Sequence, residues 1–217
     1  MQLKSVDVSK TASATTIIFE ALKQAIVEGE LEDGTPLRQD EIAKMFNTSR
    51  IPVREAILKL EEHGLVTSQR YKGAVVSSLS QDEVREIFDF RALLEPHVIA
   101  QAVPKMDAET LRTARGHYEA LASSNDSSEW GDLNRKFHAT HYSASGLTYH
   151  LAAIDNALNR IDRYLRARIM MDDGMIRANH DHLMIQEACE AGDAQRAAEL
   201  TLTHIQEARD KLLAYLK

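Results

Sequence analysis

The chain has a single cysteine, Cys189, among 217 residues. An internal disulfide is therefore excluded, and the cysteine usage fits a reducing cytoplasm. Cys189 lies among helix formers, which points to a buried, inert thiol rather than a nucleophile. No apolar run approaches the ~20 residues needed to span a bilayer, so no membrane partner is expected. The first residues, "MQLKSVDVSKTASA", lack the apolar stretch of a secretory signal and read as a polar arm. Internal repeats and low-complexity tracts are absent. So are an HExxH pair and an evident Ser/His/Asp arrangement, and the chain is not expected to be an enzyme. Hydrophobic content of 44 % and charged content of 27 % are those of an ordinary soluble globular protein.

Charge is distributed unevenly. The formal net charge is −7, which argues weakly against nucleic acid as a partner. Residues 35–78, however, hold seven Lys and Arg against five Asp and Glu, a local net of +2. The acidity is concentrated after residue 78. Of nine histidines only His63 precedes that point. Two segments of different chemistry follow, residues 1–78 and 79–217.

The first segment alternates helix and turn. "TTIIFEALKQAIVE" (15–28) carries an apolar helical stripe, and "GELEDGTPL" breaks it with two glycines and a proline. "QDEIAKMF" (about 39–46) is a short helix, "NTS" a tight turn, and a third helix runs to about His63 before Gly64. "LVTSQ" and "GAVVSS" are β-prone and flank "RYKG", a small hairpin with Gly73 near its bend. Three helices and a hairpin predict a winged helix-turn-helix. "SQDE" at Ser80 is a capping box opening a long helix. After it no strand signal appears, and six helices with short loops predict an all-α antiparallel bundle. The fold class is thus mainly α, with the wing as its one β element. The linker, about Ser77 to Leu79, is short enough to couple the two halves.

"NTSRIPVREAI" (47–57) looks at first like a spoiled helix. Ser49 can cap it, and Pro52 then falls in the first turn, where the N–H groups have no partners within the helix. Val53, Ala56, Ile57 and Leu60 form the buried face. Arg50 and Arg54 share another face at the positive end of the helix dipole. Such a pair also describes an ordinary solvated face. What favours DNA is the ordered set of helix, helix, turn, capped basic helix and hairpin. In that setting Arg50 and Arg54 can meet guanine edges or phosphate, and Thr48 and Ser49 can donate to phosphate.

The eight histidines of the second segment invite a test of geometry. Asn134 and His138 are i, i+4 on one helix. His182 and His204 stand about ten and twelve residues either side of the turn at Gly192-Asp193. At ~1.5 Å per residue they lie ~15–18 Å from it on antiparallel helices, roughly level. Three imidazoles and one amide oxygen from three helices can hold a divalent ion of the Zn, Ni or Mn class. Taken singly, each histidine is equally an ordinary surface or core residue. His141, one turn beyond His138, is a candidate supporting group.

"GTPLRQDEIAKMFNTSRIPVREAILKLEEHGLV", followed by "KGAVV", resembles the DNA-binding domain of GntR-family bacterial transcription regulators over about residues 15–78. The resemblance implies a homodimer on a short palindrome of double-stranded operator DNA, read by Arg50 and Arg54, with the wing near Gly73 touching the minor groove. Some family members carry a basic residue where this chain has Asp40; Arg38 is close enough to substitute. Residues 80–217 resemble the helical effector domain of the FadR subgroup, in its metal-binding FCD version. That pattern implies a metal set of Asn134, His138, His182 and His204, with asparagine where aspartate is usual. It also implies a small carboxylate effector and a pocket arginine, matched here by Arg91 in "FDFRALLEP". Arg163 and Arg166, in "RIDRYLRAR", are further candidates to grip a carboxylate.

The expected function is a DNA-binding repressor responsive to a small organic acid bound beside a metal. A regulator sensing the ion itself and a metal-dependent hydrolase are the alternatives.

Overall fold

Ser13 opens helix α1 (Ala14–Val27), its hydroxyl accepting from the Thr16 N–H at 3.2 Å. Residues 13–124, 126–169 and 174–216 are described by this computed structural model. The polar arm expected over residues 1–12 lies outside them. The chain divides into two units, one ending at Ser78 and one beginning at Leu79.

In the first unit α1 is followed by α2 (Gln39–Met45), α3 (Arg50–Glu62) and the antiparallel strands β1 (Val66–Gln69) and β2 (Gly73–Val76). The register pairs Val66 with Val76 and Gln69 with Gly73. Ile18, Leu22 and Ile26 of α1 meet Val53, Ile57 and Leu60 of α3 in one apolar core. The Thr15 hydroxyl also donates to Glu55 at 2.7 Å, tying α1 to α3. The turn between α2 and α3 places Asn47 at φ 48°, a left-handed conformation that asparagine tolerates better than most residues.

Two local expectations need correction. Ser49 occupies the N-cap position of α3, but its side chain makes no capping hydrogen bond. A capping side chain accepts from the second or third residue of the helix, and the third is Pro52, which has no N–H. The stretch 34–37 is also more than a helix break. Leu37 N–H donates to the Ala74 carbonyl at 2.8 Å and Val76 N–H to the Thr35 carbonyl at 2.9 Å. The outer edge of β2 is thereby paired.

The second unit holds six helices among the described residues: α4 (Gln81–Ala102), α5 (Ala108–Ser123), α6 (Ser127–Ser143), α7 (Thr148–Ile169), α8 (Gly174–Glu190) and α9 (Ala194–Tyr215). A 3-10 turn, Val103–Lys105, follows α4. The capping box at the start of α4 forms in both directions between Ser80 and Glu83. Asp107 caps α5 and Asp193 caps α9, each accepting from a backbone N–H in the first turn. Gly192, at φ 70°, makes the reversal between α8 and α9. Helix α4 packs along α9, and α5 lies against α6 and α8. Phe88, Ile161, Ile205 and Leu212 fill one part of the core, and Val98, Phe137 and Ile185 fill another. No helix among the described residues is long and apolar enough to cross a membrane.

The two serine caps give contrasting expectations. Ser80→Ala removes the hydroxyl arm of a formed capping box, leaves the backbone N–H to Glu83 arm in place, and lowers stability of the bundle by about 1 kcal/mol. Ser49→Ala removes no capping bond and changes stability by less than about 0.5 kcal/mol. Urea denaturation followed by circular dichroism measures both.

Candidate metal centre and nucleic-acid interface

Helices α6, α8 and α9 each bring one imidazole to a common point. His138, His182 and His204 each offer a ligand atom, and these lie within 4.8 Å of one another. The Nε2 atoms of His138 and His182 are 3.2 Å apart. Two nitrogens each ~2.0–2.1 Å from one ion stand roughly 3 Å apart in tetrahedral or octahedral geometry. The two rings are thus already at a spacing suited to one cation.

Neighbouring groups orient these rings. The His204 Nδ1 faces the Asp181 carboxylate at 3.2 Å, which leaves Nε2 for the cluster. On α4, Arg91 Nε donates to Glu95 at 2.6 Å, and both side chains are deeply buried, 5 % and 1 % exposed. The Tyr142 hydroxyl donates to the other Glu95 oxygen at 2.8 Å, and its oxygen stands 3.5 Å from His138 Nδ1. Burial, reinforced by the Glu95 charge, pushes the Tyr142 phenol well above its ordinary range, so it remains a donor. Phe137 packs its ring against both His138 and His182.

A cavity of about 80 Å³ adjoins the cluster, with Arg91, Asn134, His138 and His204 in its wall. Three polar atoms here are buried with no hydrogen-bond partner among the described residues: Arg91 Nη1, Asn134 Oδ1 and His182 Nδ1. Buried polar atoms are rarely left unsatisfied, because each forfeits its hydration without replacement. A neutral imidazole and amide donor set next to a cavity suits a borderline metal ion chemically. His138, His182 and His204 therefore fit such an ion, and Asn134 Oδ1 has a free lone pair on the same cavity.

The other sequence candidates are placed as follows. Arg91 lines the cavity but is already paired with Glu95. The side chains of Arg163 and Arg166 lie outside the described set. His141 does not join the cluster; its Nδ1 is 2.9 Å from the Phe137 carbonyl one turn back. Glu95, Tyr142 and Asp181 were missed. The available signals were spacing from Arg91 to Glu95 and from His138 to Tyr142, both four residues on a helix, and the adjacency of Asp181 to His182. Cys189 is buried, and burial pushes its thiol up to about 12, which makes it unreactive.

In the first unit, Arg50 and Arg54 are exposed at the N-terminal end of α3. Arg50 Nε is 3.2 Å from Asp40, and Arg38 is 3.1 Å from Glu41. Both pairs are well exposed and so contribute little stability. Ser49 is exposed and Thr48 half-buried. Gly73, at φ 74°, closes the wing turn, whose exposed tip is Arg70, Tyr71 and Lys72. The Arg70 guanidinium lies 5.0 Å from the centre of the Tyr71 ring. These tip residues were read only as a bend.

Comparison with known proteins agrees with this division. Residues 15–76 match "Bacterial regulatory proteins, gntR family", and residues 86–207 match the FCD domain. The chain belongs to the GntR family of bacterial regulatory proteins. A probable D-xylose utilization operon transcriptional repressor of Paenarthrobacter nicotinovorans is 30 % identical over 90 % of this chain and 88 % of its own length. The transcriptional repressor GlaR of Escherichia coli is 29 % identical over 86 % of this chain and 90 % of its own. The solved structure of E. coli McbR/YncC shares the fold, with a TM-score of 0.83 at 21 % identity, covering 95 % of this chain and all of that one. This GntR-family chain is accordingly a transcription regulator, and the hydrolase alternative is set aside.

Burial, with the neighbouring imidazoles, holds His138 and His182 well below the usual histidine range. The unfolded chain therefore takes up protons that the folded chain refuses. Stability is full above an unfolded histidine pKa of ~6.5 and falls as the pH drops below it, by up to about 1.4 kcal/mol per histidine per pH unit. Denaturation in chelator-containing buffer at neutral and mildly acidic pH checks this. His182→Gln should flatten the acid limb.

Proposed function

We propose that this chain is an operator-binding repressor whose FCD domain takes a divalent metal ion and a small carboxylate. His138, His182 and His204 would hold the ion, with Asn134 as the fourth protein ligand. The observation that carries this reading is a cluster of three imidazoles beside a cavity whose wall holds His138, His204 and the unsatisfied Asn134 oxygen. When bound, the ion supplies positive charge that attracts a carboxylate and polarises it. Arg91 Nη1 is a buried donor awaiting an acceptor on the same cavity, and a carboxylate oxygen satisfies it. Arg163 and Arg166 remain candidates for the same ligand.

On the DNA side, Arg50 and Arg54 read base edges in the major groove, with Thr48 and Ser49 on phosphate. Gly73 lets the wing approach the minor groove. Arg38 and Arg50 exchange weak surface partners for DNA at little cost. A homodimer of the kind proposed presents two such helices to half-sites about one helical turn, ~34 Å, apart. The repressor names of the two relatives support repression as the output.

Operators selected from randomised duplexes provide the test. Arg50→Ala and Arg54→Ala should each weaken the selected duplex roughly 5- to 150-fold, with relaxed preference at one base position per half-site. A screen of small carboxylates against zinc-loaded protein should find one that shifts operator affinity, and His182→Ala should lose that response. Reciprocity requires operator DNA to shift carboxylate affinity by the same factor. An operator affinity that answers to metal alone, with no carboxylate effect, would instead identify the ion as the signal.

A further inference from the structure

We infer that Asn134 makes cation binding depend on an anion, so that a divalent ion and a small carboxylate that offsets part of its charge enter the cavity together. The inference rests on the metal reading above and concerns how this chain's own donors meet the charge of the ion.

All four proposed protein ligands would coordinate as neutral groups. An imidazole binds a metal through its deprotonated nitrogen, and the amide of Asn134 carries no charge. The described residues lining the cavity include three carboxylates, Glu95, Asp162 and Asp181, and three cations, Arg91, Arg135 and Lys211. They sum to zero. The carboxylates are also already engaged. Glu95 serves Arg91 at 2.6 Å and Tyr142 at 2.8 Å. Asp181 faces His204 Nδ1 at 3.2 Å, and Asp162 lies 3.7 Å from Arg135. A divalent ion therefore brings two uncompensated positive charges into a buried space. An unpaired buried charge is strongly disfavoured, and the first remedy is a counter-charge in direct contact.

The cavity is built to admit one. Its volume is about 80 Å³, whereas one water needs roughly 10–15 Å³. A carboxylate of acetate size therefore fits. Arg91 Nη1 stands ready as a donor with no partner among the described residues. An aspartate at position 134 would supply one negative charge from within the chain. With asparagine the charge must come from the ligand, so each partner raises the affinity of the other.

The test uses full-length protein stripped with chelator and titrated calorimetrically with Zn²⁺. Two buffers of equal ionic strength are compared, sodium acetate and sodium perchlorate. Binding to the other histidines is subtracted with His182→Ala, whose folding is checked by circular dichroism. Wild type should bind Zn²⁺ at least about tenfold more tightly in acetate, within the usual range for coupled sites. Asn134→Asp should bind tightly in both buffers, with the acetate advantage reduced to about threefold or less. Equal wild-type affinity in the two buffers overturns the inference and leaves the metal reading standing. Full acetate dependence in Asn134→Asp overturns the role of Asn134. No binding above the His182→Ala background in either buffer overturns the metal reading and the inference with it.

Discussion

Desolvation at one point inside the second unit governs much of the architecture around it. Three imidazoles from α6, α8 and α9 meet where a charge on His138 or His182 is penalised by burial and by its neighbours. Rings so close must be fixed in tautomer and orientation, and the surroundings do this. Asp181 takes the outer nitrogen of His204. Tyr142 stands beside the outer nitrogen of His138 and donates its hydrogen bond to Glu95, which is in turn held by Arg91. The chain from Arg91 to His138 runs from α4 to α6 through side chains alone. Severing such a buried chain at one member would leave the next charge uncompensated.

The first unit works by the opposite logic. Its polar groups of interest lie on the surface, where pairing is weak and easily exchanged. Arg50 and Arg54 are held in place by the apolar face behind them. Val53, Ile57 and Leu60 anchor α3 against α1, so the basic end of the helix projects from a rigid support. Pro52 is compatible with this because it sits where no intrahelical bond is lost. It also explains why Ser49 gives no capping bond, since the proline removes one of the two donors that a cap uses.

Most of the fold was legible in the sequence because its signals are local. The six helices after Ser80 follow from apolar periodicity, from the Ser80–Glu83 box and from the short breaks between them. The level placement of His182 and His204 followed from counting residues either side of a glycine turn. The pairing of residues 34–37 with β2 was missed because it depends on contacts between distant stretches, and "GTPL" carries no strand pattern. Glu95 and Tyr142 were missed for a related reason. Each was in helical register with a residue already noticed, yet register cannot say which face of a helix ends up buried beside another.

By itself the sequence determined the helices, the Ser80–Glu83 box, the basic end of α3, the winged-helix order and the spacing that sets His182 and His204 level. These depend on intrinsic preferences and on repeat lengths within single elements. The tertiary structure alone decided that Arg91 is spent on Glu95, that Tyr142 joins that pair to His138, that His141 turns back to its own backbone, and that Asn134 ends with an unsatisfied oxygen on a cavity. These are outcomes of packing between helices far apart in the chain, where the partner that satisfies or abandons a buried polar atom is set by three-dimensional proximity.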